Sequence, residues 1–131
     1  MANFKLFDYV DNRGVNDFKE WSKGLEKKDL AKLNSKLDSL QKEPSLPPQL
    51  LAGPLGGLPI YKLRINGNVA LRPMLCKGPV NMGEEFTLLF GAEEKDRKLI
   101  PADAVKRADD RRQEVVQNPT QRRCPHERVS R

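Results

Sequence analysis

The 131-residue chain has no apolar run approaching the roughly 20 residues that a membrane-spanning helix needs. Its first residues, MANFKLFDYVDNR, mix acidic and basic side chains from the start, so they lack the apolar stretch of a secretory signal. From these two absences we expect a cytoplasmic protein that makes no contact with a membrane.

Cysteine and histidine are scarce, with two residues of the first kind and one of the second. Cys76 lies in an apolar run and Cys124 in a polar segment. A disulfide between them is possible, but the expected reducing compartment argues against it. The fragment Cys124-Pro125-His126-Glu127 holds three types of metal ligand, yet a metal site needs further ligands on a fixed backbone. We therefore expect neither a metal nor another cofactor.

Positive charge exceeds negative charge, with 24 Lys and Arg against 18 Asp and Glu and a net charge of +6. Such a balance favours polyanionic partners without proving one. Residues 116–131 carry four arginines against one glutamate and show no apolar periodicity. We therefore expect one domain at residues 1–115, followed by a basic, flexible tail at residues 116–131.

Apolar residues at helical spacing predict a hairpin of two helices near the N-terminus. Asn16 or Asp17 caps the first helix, and Gly24 ends it. Asp29 leads the second helix, which stops at Glu43-Pro44 because proline removes a backbone donor and disfavours helix in the residue before it. The apolar stripes consist of Val15, Phe18, Trp21 and Leu25 in the first helix and of Leu30, Leu33, Leu37 and Leu40 in the second.

Alternating patterns predict strands before and after these helices. A first strand spans residues 4–10, but its pattern leaves open which face is buried. A later run, with Phe86, Leu88 and Phe90 on one side, is typical of a central or well-covered strand. A last helix is expected after Pro101, with Asp103 in its first turn.

The stretch IYKLRINGNVALRPMLC, residues 60–76, predicts a β-hairpin around Asn66-Gly67-Asn68. A two-residue turn would pair Ile65 with Asn68 and scatter polar groups over both faces. A three-residue loop pairs Ile65 with Val69 and Leu63 with Leu71, which gathers the apolar side chains on one face. We prefer the second register for that reason.

That register places Lys62, Arg64 and Arg72 together on the opposite face, with Lys62 directly across from Arg72. Like charges opposite each other on neighbouring strands are unfavourable. The cluster therefore requires an anion or a nearby carboxylate to neutralise it.

Three runs of this sequence resemble the RelE/ParE toxin superfamily, especially its HigB-like, phage-associated branch. They are LxGxxGGLPIYKLRINGN, LRPMLCKG and FTLLFGAEEKDRKLIPADAVKRADDRR, and the likeness covers about residues 4–115. The resemblance implies a RelE-like α+β fold. Its expected parts are an N-terminal strand, a two-helix hairpin, an antiparallel β-sheet of three further strands and a C-terminal helix.

The resemblance also implies a toxin of a toxin-antitoxin system that acts as a ribosome-dependent mRNA endoribonuclease. The matching catalytic residues are Lys62, Arg64 and Arg72, with Lys62 as candidate base and Arg72 on the scissile phosphate. Fixed cations at such a site stabilise the developing charge of the transition state. The matching RNA-binding residues are Lys95, Arg97 and Lys98. The implied partners are a cognate antitoxin, the ribosome and mRNA, and the tail would add non-specific nucleic-acid contact.

The chain departs from the family pattern at several positions. Glu93 and Glu94 stand where family toxins continue into basic residues, and the neighbourhood of Leu99 lacks the tyrosine or histidine of many active relatives. Pro73 after Arg72 indicates an edge position or a bulge. Two alternatives therefore stay open. One is a RelE-fold binding or regulatory protein without catalysis, and the other is a ParE-like toxin that targets gyrase.

Overall fold

The structure is a computed structural model that describes residues 3–43 and 45–130. These residues form an α+β fold with four helices and a mixed, open sheet of seven strands. Pro44 and Arg131, which the sequence analysis assigned to a helix end and to the tail, lie outside the described residues. Within the described ranges, no helix combines the length and apolar composition that crossing a membrane requires. In chain order the elements are β1 (Lys5–Tyr9), α1 (Asp17–Lys23), α2 (Lys27–Lys42), β2 (Leu51–Ala52), β3 (Tyr61–Leu63), β4 (Ala70–Lys77), β5 (Glu85–Lys95), β6 (Lys98–Ile100), α3 (Ala104–Gln117), α4 (Pro119–Arg122) and β7 (Arg123–Pro125).

The strands lie in the order β2-β3-β4-β5-β1-β7, and β6 pairs with β5. The α+β class is confirmed, and β3, β4 and β5 are antiparallel neighbours as expected, but the described residues form a mixed sheet of seven strands instead of an antiparallel sheet of three strands besides β1. β1 is parallel to β5, and the chain between them runs through α1, α2, β2, β3 and β4, which supplies the long connection that a parallel neighbour requires. Three additional strands, β2, β6 and β7, have only two or three residues each. Such strands are too short to show an alternating pattern in the sequence.

Helices cover both faces of the sheet, so the protein has two hydrophobic clusters. On one face, α1 and α2 pack their leucines and Phe18 against Leu63, Leu75 and Leu88 of the sheet. On the other face, α3 packs Ala104, Ala108 and Val115 against Met74, Cys76 and Leu89. We call these the α1/α2 face and the α3 face. Because both are covered, β5 is a central strand, as its apolar pattern predicts.

The helix ends follow local sequence signals. Asn16 caps α1, since its side-chain oxygen accepts a hydrogen bond from Lys19 N at 3.0 Å. Gly24 follows the last residue of that helix, as predicted. Asp103 lies at the N-cap of α3 instead of in the first turn, and its carboxylate pairs with Arg107 at 3.1 Å.

Residues 119–130, which we call the C-terminal strap, return to the sheet. The sequence analysis predicts a flexible tail here, whereas β7 pairs with β1 and Cys124 lies opposite Asp8. The contacts that hold the strap involve a charged side chain, so the pattern of apolar residues in the sequence does not reveal them. Arg123 forms a buried ion pair with Glu85 and stacks on Phe7, with its guanidinium carbon 3.8 Å from the ring centroid.

We expect Arg123→Ala to lower the free energy of unfolding by about 3–5 kcal/mol, because the Glu85 carboxylate would stay buried without a counter-charge. The side chains of this pair are only 10% and 7% exposed. Urea denaturation at neutral pH measures the change.

Arg128→Ala is the matched control in the same strap. Its pair with Asp38 is 57% and 47% exposed, so the expected loss is about 0–1 kcal/mol. Equal losses in the two variants would show that the strap does not depend on its buried ion pair.

Candidate functional site

The β3–β4 hairpin has a wider loop than the sequence predicts. Tyr61 pairs with Leu75, and Ile65 forms a bridge with Leu71, so the loop spans residues 66–70. The predicted three-residue loop, and with it the pairing of Lys62 with Arg72, is therefore wrong. Lys62 instead lies opposite Met74. Since the register is displaced by an even number of residues, the side chains stay on their predicted faces.

Arg72 explains the wider loop. Its guanidinium donates to Leu71 O at 2.8 Å, to Ile65 O at 3.4 Å and to Asn66 Oδ1 at 3.2 Å. The side chain is only 6% exposed, and its Nε atom is buried with no hydrogen-bond partner in the part of the chain that the structure describes. Arg72 therefore fills the base of the loop and fixes its shape, and little of it is left to contact a large ligand.

Glu94 is the carboxylate that neutralises this region. Its side chain lies 3.3 Å from Nη2 of Arg72 and 3.7 Å from Nζ of Lys62. It reaches them because Glu94 pairs with Ala70 of β4 and shares the α3 face with Arg72. In the sequence, Glu94 stands out only as a departure from a basic pattern. Its position inside the cluster follows from the β4–β5 register, which includes an irregularity at Met74/Leu75.

We call Lys62, Arg64, Arg72 and Glu94 the basic cluster. Burial acts to raise the pKa of Glu94, but the hydrogen bond and charge of Arg72, together with Lys62 and Arg64, lower it below the usual value of 4.5. Glu94 is therefore ionised at neutral pH. Three cations against one carboxylate leave a formal surplus of two positive charges, carried at the surface mainly by Arg64, which is exposed.

The second set of predicted residues lies at the tip of the β5–β6 hairpin. Lys95 pairs with Lys98, and the two turn residues, Asp96 and Arg97, have φ values of 53° and 64°. Positive φ at both positions is typical of a type I′ hairpin turn. Lys95, Arg97 and Lys98 are all exposed.

This tip and the basic cluster do not share one face. The pair of Glu94 with Leu99 lies on the α3 face, so by strand alternation the next pair, Lys95 with Lys98, is directed to the α1/α2 face. A ligand that contacts both sets must therefore bend around the end of the sheet.

The residues of the possible metal fragment are engaged in other contacts. His126 Nδ1 lies 2.8 Å from Asp8 Oδ1, and Glu127 pairs with Lys19 at 3.6 Å. Cys124 is a free thiol whose pKa is raised by burial and by Asp8. Across residues 3–43 and 45–130, no group of three or more His, Cys, Asp and Glu side chains is arranged to hold a metal ion.

The chain was compared with protein-family models, with curated proteins and with solved structures, and none of them matches it. The functional inference therefore depends on the residues and geometry described above.

Glu94→Gln should lower the stability of the protein at neutral pH by an amount that shrinks as the pH falls below 4.5. The native carboxylate has a lowered pKa, so its stabilising contribution is present above the unfolded-state value and is lost as the pH falls through the folded-state value. Urea denaturation of both proteins between neutral and acidic pH measures this difference.

The same substitution in an Arg72→Met background is the control, because the principal counter-charge of Glu94 is then absent. The pH dependence of the difference should largely disappear there. Two results would contradict the assigned ion pair of Glu94 with Arg72. One is a stability loss from Glu94→Gln that grows as the pH falls, and the other is a pH dependence of that loss that stays the same in the Arg72→Met background.

Proposed function

We propose that this protein is a RelE/ParE-type toxin of the HigB-like kind that acts on translated mRNA through the α3 face of its sheet. The observation that carries the proposal is the basic cluster, in which Lys62 and Arg64 lie side by side along β3 and its extension. A surplus of positive charge on one sheet face is what a phosphate backbone requires.

The order of the principal elements supports the proposal. A first strand, two helices, an antiparallel run of strands and a closing helix follow one another in the order that the sequence resemblance implies. The agreement concerns the order of these elements, since the sheet of the described residues is mixed and has seven strands. This order favours the proposed family.

The contacts within the cluster change the proposed roles of its residues. Because Lys62 forms an ion pair with Glu94 at 3.7 Å, we assign it the role of a cation that neutralises a phosphate, in place of the role of base. Arg64 is exposed and is available to an RNA strand. Arg72 is a positioning residue, because its guanidinium is buried against the 66–70 loop. Lys95, Arg97 and Lys98 would then contact more distant phosphates.

A second candidate function is a RelE-fold binding or regulatory protein without catalysis. Glu94 favours this alternative, since a carboxylate held between Lys62 and Arg72 occupies the place where the anionic phosphate would otherwise be bound. A ParE-like toxin that poisons gyrase is the third possibility and predicts DNA damage. In the toxin readings, a cognate antitoxin is the expected inhibitory partner, and the protein acts in the cytoplasm.

Expression of the protein in growing bacterial cells, with mapping of mRNA 5′ ends, tests the proposed activity. We expect new mRNA ends within translated regions, and a loss of cleavage of about 10- to 100-fold in Lys62→Ala and Arg64→Ala, since each removes a cation that stabilises the transition state. Arg72→Ala is a poor test, because it would also disturb the hairpin loop.

Lys5→Ala is the matched control, because Lys5 is exposed and lies opposite Glu85, at the other end of β5 from Glu94. It should cleave like the wild type. Growth arrest with DNA damage and intact mRNA would instead identify a gyrase toxin. Intact mRNA without any toxicity would favour the non-catalytic alternative.

A further inference from the structure

Three of the most exposed large hydrophobic side chains gather at the end of the sheet opposite the basic cluster. Val80 and Met82, in the loop after β4, are 59% and 58% exposed, and Val116 near the end of α3 is 51% exposed. Met82 and Val116 line one cavity. Exposed apolar side chains are common individually, but a contiguous group of them marks an interaction site.

The surface contains two adjacent cavities that share Lys77 and Met82. The first, of about 220 Å³, lies between the loop and α3 and includes Pro79 and Val116. The second, of about 290 Å³, is lined by Phe4 and Phe86. We call the two together the apolar groove. Each is smaller than the ~300–1,000 Å³ typical of drug-sized ligands, so each suits a single side chain of a larger partner.

The loop that presents these side chains is held by internal hydrogen bonds. The Thr87 hydroxyl donates to Gly78 O at 2.6 Å, and Gly78 N donates to Glu85 O at 2.8 Å. Asn81 Nδ2 donates to Glu84 Oε2 at 2.9 Å. These hydrogen bonds fix the loop in the conformation that exposes Met82. A partner would therefore bind a largely preformed surface.

The positive charge of the groove favours a partner that carries carboxylates. Lys77 lines both cavities and Arg112 lines the first, whereas no carboxylate among the described residues lines either one. Arg112 is paired with Asp109, but Lys77 has only the Tyr61 ring, whose centroid is 5.2 Å from its Nζ, among the contacts of the described residues. A carboxylate placed between two apolar anchors would meet Lys77.

We propose that the apolar groove binds an acidic protein segment that inserts two apolar side chains on either side of Lys77. A second copy of this chain fits less well, because a two-fold contact would bring its own Lys77 and Arg112 toward their equivalents. RNA also fits less well, because the most exposed groups are aliphatic, whereas the rings of Phe4 and Tyr61 are partly buried and that of Phe86 is buried, so bases would find little exposed ring surface on which to stack.

The groove is separate from the proposed RNA site. Arg72 and Lys77 are five residues apart along β4, which corresponds to roughly 17 Å. This inference does not depend on the proposed mRNA cleavage, and the variants that test it leave Lys62 and Arg64 unchanged.

The test is an NMR titration of the full-length protein, labelled in its backbone amides and methyl groups, with a capped peptide of about 12 residues. The peptide carries leucines at i and i+4 on one helical face and glutamates elsewhere. We expect saturable shifts at the Met82 and Val116 methyl groups. Affinity should fall by about tenfold or more in Lys77→Glu, because attraction becomes repulsion, and in Met82→Ser, which removes an anchor.

Lys98→Glu is the matched control, since it makes the same charge change at the distant β5–β6 tip, and it should alter affinity by less than about twofold. The proposal would be overturned if a peptide with lysines in place of glutamates bound equally well, or if binding did not saturate up to about 1 mM peptide. It would also be overturned if the peptide shifted only the signals of Lys62 and Arg64. Shifts of the groove methyl groups caused by single-stranded RNA, or by self-association of the protein, would overturn it as well.

Discussion

The buried guanidinium of Arg72 connects the hairpin, the central strands and the candidate site. Burying a charge is costly unless it is paired and hydrogen-bonded. Arg72 meets this requirement with the carbonyls of Ile65 and Leu71, the side chain of Asn66 and the carboxylate of Glu94. The loop after β3 therefore takes the width that the guanidinium requires, and Glu94 is drawn to the same position. The arrangement of Lys62 and Arg64 on the surface follows from that interaction.

β4 links two surfaces of different chemistry. Near its first residues, the α3 face is polar and carries the basic cluster. Near its last residue, Lys77, the surface is apolar and carries a loop that holds Val80 and Met82 outward. The sheet between them is covered on both faces by helices, and the C-terminal strap covers the β1 edge. The accessible chemistry is thus concentrated at the two ends of the central strands.

Part of this structure could be predicted from the sequence because local patterns determine it. The α1 cap, which the sequence narrows to Asn16 or Asp17, the apolar stripe of α2 and the central position of β5 all follow from short-range periodicity and capping. The faces of the β3–β4 hairpin were also predicted correctly, because alternation survives a register displacement of two residues.

The remaining features depend on contacts between residues far apart in the chain. The loop width is set by the side chain of Arg72, and the strap is held by the ion pair of Arg123 with Glu85. Neither contact leaves a periodic signal. Glu94 was visible as an acidic residue in a basic run, but only the β4–β5 pairing places its carboxylate beside both Lys62 and Arg72. The parallel position of β1 likewise depends on the long connection to β5 rather than on the strand's own residues.

We infer that Glu94, held between Lys62 and Arg72, acts as an internal anion in the place where a phosphate would be bound under the proposed function. The most direct test of this inference is the affinity of a single-stranded RNA for Glu94→Gln, measured by fluorescence anisotropy over a range of salt concentrations. Glu93→Gln is the control, since its side chain lies on the opposite face of the same strand. We predict tighter binding and a steeper salt dependence for Glu94→Gln alone, with a slope change of about 0.7 for one added phosphate contact. Equal effects of the two substitutions, or no effect of either, would contradict the account.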